Sequence, residues 1–146
     1  PKAQFIYLVR DPVDRFVSQL RMNLQRAGRK PATLADWRRE AADPVLEARG
    51  DYATYLPRWQ TCVPAERLLV LPFGRIASDP GGLLADVEGF LGLASHNFTG
   101  LEKRVFAARG PDEIPDQLRA ELADRLAPQY AFLRRNFDEA FNAALR

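Results

Sequence analysis

The chain opens on an unbroken apolar run, Phe5-Ile6-Tyr7-Leu8-Val9, rich in β-branched and aromatic side chains. Such a run reads as a strand buried on both faces, the kind found in parallel sheets. Asp11-Pro12 closes it, and Phe16, Leu20 and Leu24 then recur at every fourth position. Proline suits the first helical position and aspartate the N-cap, so the pattern predicts a helix over residues 12–25. Strand, tight turn and helix open a βα unit.

Gly28-Arg29-Lys30-Pro31 breaks this helix, and Thr33 with Asp36 three residues on has the spacing of a capping box for a short helix carrying Leu34 and Trp37. Tyr52, Tyr55, Leu56 and Trp59 share one helical face over residues 52–62, with Pro57 inside the stretch, so a helix is expected to begin or kink there. Leu68-Leu69-Val70-Leu71 predicts a second buried strand. Asp79-Pro80 should cap a helix that turns Leu83, Leu84, Val87, Phe90 and Leu91 to the core and stops at Gly92. Residues 94–112 have no period and read as loop. Pro115 opens a helix bearing Leu118, Leu122 and Leu126; Pro128 interrupts it, and Tyr130, Leu133, Phe137 and Phe141 continue the stripe.

Two strong strands and five or six helices define an α/β fold class. Two strands buried on both faces need neighbours on each side and helices above and below. The sequence is therefore expected to be the C-terminal portion, residues 1–146, of a larger α/β domain whose N-terminal strands lie outside it.

Composition narrows the function only at the margins. The 146 residues are 47% apolar and carry 21 basic against 19 acidic side chains, enough for a core without staples. The single cysteine, Cys62, excludes an internal disulfide and a cysteine zinc cluster, and makes a reducing, cytoplasmic setting the expectation. No apolar run reaches the roughly 18 residues of a membrane helix, and the N-terminus lacks the pattern of an export signal. The basic residues are spread along the chain, so neither nucleic acid nor a membrane is an expected partner. Of those residues 18 are Arg and 3 are Lys, the bias of a GC-rich bacterial genome.

Chemistry concentrates in R-D-P-V-D-R-F-V-S, residues 10–18. Arg10 leaves the carboxyl end of a buried strand, the edge at which open α/β sheets bind ligands. The helix that follows offers unpaired N–H groups and its positive dipole end, a guanidinium can grip a phosphate bidentately, and Ser18 lies two turns in. On spacing alone, the plainer reading is an Arg10 paired with a carboxylate such as Asp14, and a Ser18 bonded back to a carbonyl one turn earlier.

The stretch L-V-R-D-P-V-D-R-F-V-S resembles the 3′-phosphate-binding motif of the sulfotransferases that use 3′-phosphoadenosine-5′-phosphosulfate (PAPS): a strand ending in Arg, then Asn/Asp-Pro, Asp-Arg, and Ser eight residues after the first Arg. Residues 49–71, R-G-D-Y-A-T-Y-L-P-R-W-Q-T-C-V-P-A-E-R-L-L-V-L, resemble the family's Gly-x-Tyr, Leu, Trp, Pro run into a core strand. Residues 78–93 resemble its Asp-Pro helix closing in Phe-Leu-Gly-Leu. The three keep family order and spacing over residues 5–93, nearest the heparan-sulfate-type branch, and the composition suits a bacterial member. One departure is visible: Phe73-Gly74-Arg75-Ile76 stands where many members carry a Tyr-Glu-Asp-Leu-like run.

The resemblance implies a P-loop-type three-layer α/β/α domain and transfer of a sulfuryl group from PAPS to a hydroxyl or amine, leaving 3′-phosphoadenosine 5′-phosphate (PAP), with no metal. It assigns the 3′-phosphate to Arg10 and Ser18 and brings a basic loop containing Arg104 and Arg109 back over the nucleotide, Arg109 being the candidate ligand. The phosphosulfate loop and the catalytic base belong to segments upstream, so no catalytic residue is assigned within these residues. The implied partners are a small-molecule or carbohydrate acceptor and the remaining N-terminal part of the domain. The cluster of Arg26, Arg29 and Lys30 follows the phosphate helix as a solvated loop that could meet an acidic acceptor. His96, the only histidine, reads as a surface residue, and Cys62, Trp37 and Trp59 as core. Two other readings stay open: a P-loop kinase, and a sulfotransferase-like binding module without catalysis.

Overall fold

A computed structural model describes residues 3–101, 103 and 114–146. The described residues form two compact units: one from the stretches Pro1–Asp11, Thr54–Val105 and Arg134–Arg146, the other from Pro12–Ala53 and Phe106–Leu133.

The first unit is built on strands β1 (Phe5–Val9) and β2 (Leu68–Pro72), which pair in parallel with Phe5 opposite Leu68 and Val9 opposite Pro72. Only these strands occur among the described residues. Burial alternates along β1, contrary to the expectation of a strand buried on both faces. Phe5 and Tyr7 pack against the Trp59 ring at 5.1 and 6.4 Å, whereas Ile6 and Leu8 are 43% and 41% exposed. The Phe5/Tyr7 face is covered by Trp59, and the Ile6/Leu8 face is only partly covered. Helix α6 (Pro80–Leu91) starts and stops as predicted, its cap Asp79 accepting from the Gly82 N–H and Gly92 adopting a left-handed φ of 68°. Its apolar residues are only half covered, however, and Leu91 is exposed. The unit also holds a 3₁₀ turn (Ala65–Arg67), α5 (Arg75–Ser78) and α9 (Glu139–Ala143).

The second unit is helical and holds the larger core. In α1 (Pro12–Ala27), Val13, Phe16, Val17, Leu20 and Leu24 are buried. They cluster with Trp37 of α2 (Leu34–Glu40), Leu46 of α3 (Pro44–Ala48), and Leu118 and Leu122 of α7 (Asp116–Arg125). The predicted capping box is formed: Thr33 Oγ1 accepts from the Asp36 N–H, and the Asp36 carboxylate accepts from the Thr33 N–H and hydroxyl.

Helix α4 (Tyr52–Cys62) runs through Pro57 rather than beginning there. Its true start is fixed by a side chain remote in sequence: Gln129 Oε1 accepts from the Ala53 N–H while Gln129 Nε2 donates to Asp51 Oδ1, both at 2.9 Å. Pro128 falls in the first turn of α8 (Ala127–Asn136), separating it from α7 as expected. The helices beyond the predicted number, α3, α5 and α9, have four or five residues each, too short for a periodic signal.

Candidate phosphate-binding site

Arg10 stands where parallel pairing delivers both chains to one edge. Val9 is fully buried, and its carbonyl accepts from the Phe73 N–H at 2.7 Å, so the strands end side by side. The Arg10 guanidinium lies 4.8 Å from the centroid of the Phe73 ring, whose face attracts a cation without using its N–H donors. The head group is thereby seated against Phe73 at the sheet's carboxyl edge.

The turn beyond is tied to residues 144–146. The Asp11 N–H donates to the Leu145 carbonyl at 3.0 Å, and the Gly74 N–H to the Ala144 carbonyl at 2.9 Å. Asp11, read as the cap of α1, also accepts from Arg146 Nε at 3.0 Å. A Cβ on Gly74 would overlap the Arg146 and Ala144 carbonyl oxygens, so this position accommodates only glycine in the present packing. The next residue, Arg75, bridges Asp79 at 2.9 Å and Asp86 at 2.5 Å. The Arg75 side chain, then the Gly82 N–H, hold the Asp79 carboxyl below the usual range, while Asp86 and Asp79 push the guanidinium's own proton affinity up.

On α1, Ser18 is half-buried and its hydroxyl has no partner among the described residues. The bond back to a carbonyl one turn earlier is thus not formed there. The Asp14 carboxylate is taken by Arg119 at 2.8 Å, and the Val13 N–H points to the Tyr130 hydroxyl at 3.5 Å. Arg104 and Arg109 lie outside the described residues.

The other candidates are structural. Arg29 Nη1 donates to both oxygens of Glu40 at 2.9 Å beside a cavity of about 270 Å³ lined by Leu20, Asn23, Arg29, Arg39, Glu40 and Asp43. Its acids match its bases, so it holds no net pull on an anion. His96 is exposed, its N–H donating to Glu88 and its ring edge-on to Phe98 at 4.8 Å. Cys62 is exposed rather than core, because the last turn of α4 turns it outward. Trp37 is core, but Trp59 stays 36% exposed even as it covers β1. Among the described residues no group of His, Cys, Asp and Glu could hold a metal, and no helix is long and apolar enough to cross a membrane.

Sequence reasoning did not assign roles to Phe73 or Arg146. The departure at residues 73–76 was the available signal for the first; only the fold brings the second to Asp11.

Comparison with known proteins gives a consistent picture. The sequence model of the Sulfotransferase family matches residues 1–97. Mouse heparan sulfate glucosamine 3-O-sulfotransferase 6 is 33% identical over 98 residues, covering 64% of this chain and 29% of that protein. Human bifunctional heparan sulfate N-deacetylase/N-sulfotransferase 3 is 30% identical over 109 residues, covering 66% of this chain and 12% of that one. The crystal structure of a sulfotransferase from Alicyclobacillus acidocaldarius superposes with a TM-score of 0.66 at 26% identity, covering 99% of this chain and 58% of its own. The chain thus spans under a third of the curated relatives' length.

Proposed function

Because the chain belongs to the sulfotransferase family, we propose that it is the C-terminal portion of a single sulfotransferase domain that moves a sulfuryl group from PAPS to a hydroxyl or amine acceptor. The observation that carries this reading is Arg10, seated at the carboxyl edge of β1 over Phe73 inside the family-matched stretch. The half-covered Ile6 and Leu8, and the 58% coverage of the Alicyclobacillus sulfotransferase, support a domain that continues beyond these residues.

When bound, PAPS supplies the sulfuryl group, and displacement at sulfur breaks the bond to the bridging phosphate oxygen as the acceptor's bond forms. In this reading the chain's own residues bind and orient the donor. Arg10 takes the 3′-phosphate through its guanidinium donors, Ser18 adds its hydroxyl, and Arg109 is a further ligand from the basic loop. Fixing the nucleotide at its 3′ end sets the line along which the acceptor must approach. The proton leaving the acceptor goes to a base contributed by the rest of the domain.

The relatives named for heparan sulfate favour a carbohydrate acceptor. The lone cysteine favours a reducing compartment, the bacterial cytoplasm. The full protein should release PAP when given PAPS and an acceptor, and should bind PAP more tightly than adenosine 5′-phosphate. Binding without turnover across a panel of hydroxyl and amine acceptors would mark a non-catalytic module, and transfer from ATP instead would mark a kinase.

A further inference from the structure

We propose that Arg146 is a positioning residue for Arg10, acting through Asp11; this rests on the reading of Arg10 as a 3′-phosphate ligand. Each turn that leaves the sheet is pinned by one backbone hydrogen bond to residues 144–146: Asp11 N–H to the Leu145 carbonyl, and Gly74 N–H to the Ala144 carbonyl. The segment therefore bridges the ends of both strands at the edge from which Arg10 projects.

The side chains complete the clasp. The Asp11 side chain is only 5% exposed, whereas that of Arg146, whose Nε donates to it, is 71% exposed. A buried carboxylate that loses the guanidinium matched to it is less well compensated, and the turn that carries it relaxes toward water. Arg10 is the residue immediately before Asp11, so a rearranged Asp11 moves its backbone. At the end of the other strand, the Phe73 ring lies 4.8 Å from the Arg10 guanidinium, so a shift of the Asp11 turn also shifts Arg10 over that ring. Gly74 is what lets the Arg146 backbone approach so closely.

The test is a double-mutant cycle in the full-length protein, with PAP and adenosine 5′-phosphate titrated into wild type, Arg146→Ala, Arg10→Ala and the double variant. Arg146→Ala should weaken PAP roughly two- to fivefold, the scale of a partly exposed ion pair. It should leave adenosine 5′-phosphate unchanged and add nothing on the Arg10→Ala background. Arg146→Lys should recover part of the loss, and Asp11→Asn should reproduce it without adding to Arg146→Ala. Additive losses would mean that Arg146 touches the ligand itself, and equal losses for both nucleotides would mean general loosening. Either result, or no loss of PAP affinity, overturns the proposal. An Arg10→Ala variant that keeps its PAP affinity would overturn the underlying reading of Arg10 instead, and it shows in its own arm of the cycle.

Discussion

Arg10 and Ser18 differ in what each offers an anion, and their substitutions should differ accordingly. Arg10→Ala removes a charge-assisted, fork-shaped donor and is expected to weaken PAP binding by roughly 2–4 kcal/mol. Ser18→Ala removes one neutral hydroxyl and should lose about 1 kcal/mol. Adenosine 5′-phosphate, lacking the 3′-phosphate they are proposed to read, should be nearly indifferent to both in isothermal titration. Gly74 poses a steric question instead: a methyl there meets backbone carbonyls that cannot swing aside. Gly74→Ala should therefore destabilise the fold by roughly 1–3 kcal/mol, the range for overpacking, measured by urea unfolding.

At the scale of elements, the start of α2 makes the sharpest prediction. The Asp36 carboxyl is held at about 2, against an ordinary 3.8, first by the Thr33 hydroxyl, then by the Thr33 N–H and by Arg39. Because folded Asp36 binds its proton more weakly than the unfolded chain does, its stabilising contribution is whole above that ordinary value and drains away as pH falls toward 2. Thr33→Ala should lose about 1 kcal/mol near neutrality, typical of an N-cap. The gap between variant and wild type should narrow on acidification, and urea midpoints across that pH range would reveal a gap that fails to close.

For the whole molecule, the covered α1 core and the half-covered sheet should respond differently to truncation. Leu20 is 1% exposed within the helical core, so Leu20→Ala should destabilise by roughly 2–5 kcal/mol. Leu8 is 41% exposed in the described residues, so in this chain alone Leu8→Ala should have a much smaller effect. In the full protein the effect should rise, if further residues of the domain cover that face. Thermal unfolding of the pair in both contexts checks this.

The sequence by itself determined what local chemistry can write. The βα opening, the Thr33–Asp36 box, the Asp79-Pro80 start and the Gly92 stop each depend on residues within a turn of one another, and each formed as read. The placement of Arg10 between β1 and α1 was legible for the same reason, because strand end, turn and helix are consecutive. Only tertiary structure decided the rest. Gln129 set where α4 begins, Asp14 went to Arg119, and Asp11 met Arg146, across separations of 76, 105 and 135 residues. Burial of β1 and α6 was decided there too: an apolar run states that a face favours cover, whereas the exposure of Ile6, Leu8 and Leu91 depends on which elements are present to supply it.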